Sequence, residues 1–373
     1  MGENVAAGAV AWAALALGVV AGAVLQRSHF CTMGCVSDAV LFGSFRRARV
    51  WALALATALL GSQALDGLGL VDLGTTAYRS PAVFWLGALL GGGMFGFGMV
   101  LAGGCVSRNL VRLGGGSLKA LTTLLVMAVA AYATTAGVLA PLHAGLRSIG
   151  AVDLARDQGL PALLASLTGL GTGLWAAALT VAIAGAALVF CFRDPAFRRA
   201  RDEIATGMVL GSLVPAGWLV TGWLGAGAGA SPPLESLTYV GPVGGSLLFL
   251  MTGSGGRPGF GVALVAGTIL GAAAVALQRR QFRLDTFVAR DDMVRHLVGG
   301  SLMGCGGALA LGCTVGQGLT GAATLGLGSW LALAAILAGG AWGVNHLLTG
   351  RLAPPLPAFA RRRPEALDTS GLP

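Results

Sequence analysis

The chain alternates long apolar stretches with short polar connections. A spanning helix needs roughly 20 apolar residues to cross about 30 Å of hydrocarbon, so several stretches are full spans and others are too short. The pattern predicts about nine membrane-spanning helices with some additional short segments. The apolar segments lie near residues 5–25, 50–65, 81–104, 119–140, 160–191, 204–224, 240–254, 258–277, 297–312 and 328–349.

The length of these segments indicates helices and not strands. An open sheet leaves backbone groups unsatisfied in lipid, and a barrel needs alternating strands of about 10 residues. The predicted fold class is therefore all-α, a polytopic membrane helical bundle. The first segment follows no basic residue and lacks a small-residue cleavage site before Gln26, so we expect a retained span, not a signal peptide.

Composition and charge agree with a membrane protein. The chain is 55% hydrophobic and 10% charged, and its net charge of +9 comes mostly from arginine. The positive-inside bias explains the arginine clusters without a nucleic-acid partner. It predicts a cytoplasmic C-terminal tail for this protein of the lipid bilayer, with loops 66–80, 141–158 and 225–239 outside.

The two halves of the sequence resemble each other. GGGMFGFGMVLAGGC (91–105) aligns without a gap with GGSLMGCGGALALGC (299–313), and GGGSLKAL (114–121) resembles GLGSWLAL (326–333). Upstream, LQRSHF (25–30) resembles LQRRQF (277–282). An ordered series of matches that ends in equivalent cysteines predicts an internal repeat, as in many transporters.

The repeat defines the predicted organisation of the chain. Counting crossings predicts that the two repeats are inverted and pseudo-symmetric, with short re-entrant or broken helices. The predicted parts are a first transmembrane repeat at 5–140, a connecting span and cytoplasmic loop at 141–203, a second repeat at 204–350 and a cytoplasmic tail at 351–373.

Each glycine-cysteine segment is expected to break a helix. The four-residue glycine spacing also suits close helix packing, which explains the glycines but not the polar residues after them. Beyond Gly104 and Cys105 come Arg108 and Asn109, and beyond Gly312 and Cys313 comes Gln317. Irregular backbone at membrane depth is tolerated where it lines a cavity, and exposed helix ends favour an anion. These residues are therefore expected to line a path for an anion.

The matched thiols give this path its predicted chemistry. A thiol in apolar surroundings stays neutral and offers a weak S–H donor, which suits an anion that must enter and leave. Arg108 either attracts the anion or marks the cytoplasmic side. His29, Cys31 and Cys35 form too small a ligand set to predict a metal site, so neither metal nor cofactor is expected.

Three stretches carry a resemblance to a known family: FCTMGCVSD (30–38), GGCVSRNLVRLGGGSLKAL (103–121) and GCTVGQGLTG (312–321). Here the sequence resembles the YeeE/YedE family of bacterial inner-membrane proteins, which carry the sulphur-transport domain. The resemblance implies passage of thiosulfate or a related sulfur anion between cysteine S–H groups, without a large rocking motion. It also implies a cytoplasmic TusA-like sulfur carrier as the receiver.

The resemblance assigns the two central cysteines to Cys105 and Cys313 and implies a third in the second half. The position equivalent to Cys31 is Arg283, and Cys305 aligns with Phe97. Either Cys305 takes this role or the protein handles a different sulfur species. Cys31 and Cys305 are both expected to line the path with the two central cysteines.

Three hypotheses follow from the sequence. The first is uptake of a sulfur-containing anion through a thiol-lined path, with no enzymatic activity. The alternative is a membrane sulfur-transfer subunit in which a cysteine such as Cys31 carries a persulfide, and the third is a packing subunit. No histidine adjoins a central cysteine in sequence and no nucleotide motif is present, which argues against the enzyme and against ATP-driven transport.

Overall fold

The computed structural model describes residues 2–154, 157–225, 234–253 and 258–350, and most of these residues are helical. The all-α prediction is thereby confirmed, and the predicted tail at 351–373 lies outside the described residues. The helices are α1 Gly2–Ser28, α2 Thr32–Phe42, α3 Arg46–Gly67, α4 Trp85–Leu101, α5 Val106–Gly114, α6 Leu118–Thr135, α7 Ala140–Ile149, α8 Leu160–Thr168, α9 Thr172–Phe192, α10 Pro195–Arg199, α11 Arg201–Leu219, α12 Val240–Thr252, α13 Phe260–Gln278, α14 Arg290–Leu309 and α15 Leu327–Thr349.

Within the described ranges, 8 helical segments are long and apolar enough to cross a membrane. The sequence pattern predicts about nine spans, and α14 explains the difference because its first turn carries Arg290, Asp291 and Asp292. The apolar segment near 160–191 is also divided, since α8 ends at a left-handed Gly169. The candidate spans are Gly8–Phe42, Arg46–Gly67, Trp85–Gly114, Leu118–Thr135, Thr172–Phe192, Arg201–Leu224, Phe260–Gln278 and Leu327–Thr349.

The outer surface of the bundle is apolar. Large side chains such as Val129, Leu174 and Leu250 are exposed, which a water-soluble monomer would avoid over so wide an area. Lipid tails are the solvent that fits this surface, because they need no hydrogen bonds from it.

Helices α4 and α14 form the centre and run antiparallel. A Cβ atom added at Gly91 would lie 2.6 Å from the Gly306 carbonyl oxygen, and one at Gly98 would lie 2.8 Å from that of Gly299. Position 91 therefore faces 306 while position 98 faces 299. Only glycine leaves room for backbones at this separation, so the glycine-rich sequence of both helices is required by their contact.

Each central helix also packs against a second, parallel helix. Gly92 and Gly96 of α4 meet the backbone of α15, and Gly300 and Gly304 of α14 meet the backbone of α6. The aligned glycines of the two sequence segments thus make matching contacts. Outside this centre, α1 packs parallel to α13 and α3 packs parallel to α11, again through glycines such as Gly18 and Gly211.

The loop after each break is fastened by a distant segment. After the first, Leu118 N–H donates to the Asp285 carbonyl at 2.8 Å. After the second, Leu160 N–H donates to the Leu325 carbonyl at 2.9 Å and Leu327 N–H donates to Gln158 at 3.0 Å. Two short antiparallel strands, β1 Ala82–Phe84 and β2 Ala151–Asp153, and an ion pair between Arg79 and Asp157 complete this second fastening.

Candidate functional site

The first helix break lies between α4 and α5. Helix α4 ends at Leu101, and Gly104 N–H still donates to the Met99 carbonyl at 2.8 Å as the chain turns. Cys105 then takes an extended conformation as the residue that precedes α5, and its carbonyl accepts from Asn109 N–H at 3.0 Å. The thiol of Cys105 is 1% exposed, so it lies inside the bundle and away from lipid.

The second break repeats this geometry between α14 and Leu327. Gly312 N–H donates to the Gly307 carbonyl at 2.8 Å, and the Cys313 carbonyl accepts from Gln317 N–H at 2.8 Å. The next segment is a π-helical turn, Gly316–Gly321, whose residues are all buried. Cys313 is also 1% exposed.

Both breaks turn through a left-handed residue at the same aligned position. Gly103 has φ +65° and Leu311 has φ +57°. Glycine adopts this conformation without steric cost, whereas a leucine pays roughly 1–2 kcal/mol for it. The second break is therefore the more strained of the two.

The two breaks meet at Cys105. Its Sγ atom lies 3.2 Å from the Ser107 hydroxyl, and the thiol of Cys31 and the hydroxyl of Thr314 also face it. Cys31 is the buried residue that precedes α2, and Thr314 belongs to the second break. Residues from three separate parts of the chain thus surround one thiol.

Cys313 lies in a neutral environment. Its Sγ atom accepts from Gly316 N–H at 3.4 Å, and the backbone N–H groups of Val315 and Tyr239 are also directed at it. Tyr239 is the fully buried residue that precedes α12, and its hydroxyl lies 3.3 Å from Thr268. Among the described residues, backbone donors and no charged side chain therefore surround this thiol.

Two carboxamides stabilise the broken backbone. Asn109 Nδ2 donates to the carbonyl of Gly104 at 3.0 Å and to that of Cys105 at 3.2 Å. Gln317 Nε2 donates to the Ala310 carbonyl at 2.5 Å. Both side chains are at most 4% exposed, so each replaces hydrogen bonds that water cannot supply at this depth.

Three buried polar atoms at the breaks lack a hydrogen-bond partner among the described residues: Asn109 Oδ1, Gln317 Oε1 and the Thr314 hydroxyl oxygen. Buried polar groups are normally satisfied, and the exceptions concentrate where a ligand or water binds. The Thr314 hydroxyl is a donor, so it suits an anion beside Cys105.

A cavity of about 800 Å³ leads to the second break. Leu311 and Gly312 of the second break line it, together with Tyr78, Thr238 and Glu235. Glu235 is the one charged residue among the described residues of this lining. Neither Cys105 nor Cys313 belongs to the described lining, and both residues are buried.

The structure brings together most of the predicted path residues. Cys31, Cys105, Asn109, Cys313 and Gln317 lie at the breaks with Gly104 and Gly312. Cys305 does not join them, because it lies on the side of α14 that packs against α6, where its Sγ atom is 3.9 Å from the Ala130 carbonyl. Arg108 lies one turn beyond Cys105, with Nη1 at 3.4 Å from His29 Nδ1.

Ser107, one of the polar residues that follow Cys105 in the sequence, stands beside that thiol. Sequence reasoning missed Tyr239, which stands beside Cys313. Tyr239 is separated from Cys313 by α12, α13 and α14, so only the tertiary fold reveals it.

Comparisons with known proteins find a matching family and similar transporters. The model of the Sulphur transport family matches residues 27–342. The chain is 28% identical over 350 residues to the thiosulfate transporter TsuA of Escherichia coli K12, which covers 90% of this chain and 93% of that protein. It is 26% identical over 329 residues to the thiosulfate transporter TsuA of Spirochaeta thermophila, which covers 86% of this chain and 94% of that protein.

Proposed function

Because the chain belongs to the Sulphur transport family, we propose that it takes up thiosulfate or a related sulfur anion through a central path lined by cysteine thiols. The activity is transport and not catalysis, as the names of both relatives indicate. The observation that carries the proposal is the meeting of two helix breaks around buried thiols, with backbone donors at Cys313 and hydroxyl donors at Cys105.

Neutral donors fit the transport of a dianion. A fixed positive charge at the centre would hold a dianion too tightly to release it, whereas thiols, hydroxyls and backbone N–H groups bind it weakly. Thiosulfate offers a soft terminal sulfur that contacts a polarizable thiol well. The path then runs from the cavity to Cys313, to Cys105 and to Cys31.

Cys31 is the better third thiol of this path. It is buried and faces Cys105, whereas Cys305 faces a backbone carbonyl on α6. This assignment replaces the expectation that the third thiol lies in the second half of the chain.

The bundle is further proposed to consist of two inverted repeats, 5–140 and 204–350, joined by 141–203. The antiparallel contact of α4 with α14 supports inversion, since these helices carry the aligned glycine-cysteine segments. Helix α1 contacts α13, and α11 contacts α3. If the inversion relates these two contacts, α1 is the counterpart of α11 and α13 is the counterpart of α3. LQRSHF and LQRRQF, at the ends of α1 and α13, are then similar without being equivalent.

The orientation of the protein follows from its charges. The positive-inside bias assigns the arginine-rich end, with Arg46, Arg112 and Arg290, to the cytoplasm and the cavity to the outside of a bacterial inner membrane. The tail at 351–373 is then cytoplasmic. A small TusA-like sulfur carrier would receive the anion at this end.

Uptake of ³⁵S-thiosulfate into proteoliposomes that contain the purified chain tests the proposal. We expect uptake by the intact protein and a loss of at least about a hundredfold in Cys105→Ala and Cys313→Ala, because each removes a donor from a single-file path. Cys191→Ala is the matched control, since Cys191 bonds to the Arg49 carbonyl at 3.1 Å outside the path. Equal uptake by all four proteins would contradict the thiol path.

The same experiment separates a transporter from a sulfur-transfer subunit. A sulfur-transfer subunit would admit no label and would accumulate a persulfide on Cys31, Cys105 or Cys313, formed when the thiolate takes the outer sulfur of thiosulfate and the S–S bond breaks to release sulfite. Mass spectrometry of the protein after incubation with thiosulfate detects that product, and its presence without uptake would favour the alternative.

A further inference from the structure

A group of basic side chains lies one to two helical turns beyond Cys105. Arg108 and Arg112 are four residues apart on α5, so they share one face of the helix, about 5 and 10 Å along its axis from Cys105. A Cβ atom added at Gly103 would lie 3.4 Å from Arg112 Nη1 and 3.8 Å from His296 Nε2. Arg112 and His296 therefore converge on the first break from two different helices.

His296 is buried and its ring is held in place. Nδ1 lies 2.8 Å from the Asp292 carbonyl and 3.2 Å from the Asp292 carboxylate, and because both are acceptors this nitrogen donates. Nε2 has no hydrogen-bond partner among the described residues, although the side chain is only 8% exposed. An oriented, unpartnered and buried nitrogen beside a guanidinium points to a ligand.

The acidic residues nearby do not neutralise this group. Asp292 bonds to Lys119 at 2.7 Å, and the Lys119 ammonium holds the pKa of Asp292 below its usual range. Asp285 lies 3.8 Å from Arg112 and 3.9 Å from Lys119, so two cations share it. Arg108 has no carboxylate within ion-pair distance among the described residues. Two arginines at this spacing repel each other unless an anion lies between them.

We propose that Arg108, Arg112 and His296 form a second anion-binding site, which takes the oxygen atoms of a tetrahedral sulfur oxyanion. Guanidinium groups match such oxygens in a bidentate manner, whereas the thiols suit a soft sulfur atom. His296 contributes a donor at Nε2 when its ring carries a second proton. The site rests on the proposed function, in which it holds the anion after the last thiol.

Equilibrium dialysis with ³⁵S-sulfate tests this site, because sulfate has the tetrahedral oxygens and lacks the soft sulfur. The proteins compared are the intact chain, Arg112→Gln, Arg112→Lys, His296→Gln and Arg290→Gln, each checked for a monodisperse elution profile. Arg290→Gln is the matched control, since it removes one exposed positive charge from the same end of the bundle. Thiosulfate uptake by the intact protein is measured in parallel.

We expect the intact chain and Arg290→Gln to bind sulfate alike, and Arg112→Gln to bind it about tenfold more weakly because a charge-assisted hydrogen bond is lost. The affinities of Arg112→Lys and His296→Gln for sulfate should lie between these two values. If Arg112→Gln does not fold, these two variants provide the test. Sulfate binding should persist in Cys105→Ala. Equal affinity in Arg112→Lys, His296→Gln and Arg290→Gln, or no saturable binding, would overturn the site. Absence of thiosulfate uptake by the intact chain would instead overturn the proposed function.

Discussion

The two helix breaks share a backbone and differ in their surroundings. The hydrogen bonds from Gly104 to Met99 and from Gly312 to Gly307 are equivalent, as are the carboxamides of Asn109 and Gln317. Around the first break stand a second thiol and several basic side chains. Around the second stand backbone N–H groups and neutral side chains. The same backbone geometry therefore occurs at both breaks, and the surrounding side chains give the two breaks different chemistry.

The difference is clearest at the residues that precede α2 and α12. Cys31 precedes α2 and faces Cys105, while Tyr239 precedes α12 and faces Cys313. One break therefore has a soft side chain beside its central thiol and the other has a backbone donor. On the proposed path, the soft sulfur of the anion would contact two thiols at the first break and one thiol with backbone donors at the second.

The largest expected effect concerns the close glycine contacts of the two helices that lead into the breaks. Gly96→Ala and Gly304→Ala each place a methyl group against the backbone of a neighbouring helix, and overpacking of this kind costs about 2 kcal/mol or more. Gly93→Ala is the control, because no atom outside its own helix lies within 4 Å of the added Cβ. The temperature at which half of the protein stays monodisperse should fall for the first two variants only. Normal stability of both would show that the central contacts are looser than described.

The next effect, on thiosulfate uptake, distinguishes Cys31 beside Cys105 from Tyr239 beside Cys313. Cys31→Ala removes the side chain that faces Cys105 and should lower thiosulfate uptake about tenfold or more, whereas Tyr239→Phe keeps its N–H group and should change uptake little. Cys305→Ala should resemble the intact protein. Loss of thiosulfate uptake in Cys305→Ala, without such a loss in Cys31→Ala, would show that the third thiol of the path is Cys305, in the second half of the chain.

A smaller effect concerns the cavity, whose described lining includes residues of the second break and none of the first. Burial raises the pKa of Glu235, so its negative charge develops as the pH rises through that elevated value. A carboxylate in the entry cavity repels a dianion, so uptake should be higher below this pKa and fall by about threefold above it. Glu235→Gln should remain at the higher rate throughout. An unchanged pH profile in this variant would exclude Glu235 as the cause.

The smallest effect concerns the strained turn. Leu311→Gly gives the second break the residue that the first already has at its left-handed position, and it should relieve about 1 kcal/mol of strain. Gly103→Ala should have the opposite effect at the first break. Thermal stability in detergent measures both, and destabilisation by Leu311→Gly would mean that packing of the leucine outweighs its strain.

The positions of the breaks were predictable because a cysteine and polar residues interrupt a glycine-rich apolar segment. The helical fold class was predictable for the same reason, since segment length alone separates helices from barrel strands. Local pattern did not reveal which thiols meet. Cys31 reaches Cys105 through the packing of α2 against α4 and α15, and no spacing in the sequence encodes that contact.

Two other expectations depend on packing that the local sequence does not encode. LQRSHF and LQRRQF look equivalent, and they lie at the ends of α1 and α13, which pack side by side. Cys305 looks suitable because it lies between glycines of the central helix. Gly304 faces α6 and Gly306 faces α4, and Cys305 bonds to α6, so its thiol leaves the path.

The fastened loops have a consequence for how turnover responds to the membrane. Leu118 bonds to Asp285 and Leu327 bonds to Gln158, so sliding the helices past one another would break backbone bonds at both ends of the bundle. Opening by side-chain rotation alone leaves the outline of the protein unchanged and does no work against the lipids. The rate of permeation should therefore vary little between thin and thick bilayers, or between fluid and stiff ones.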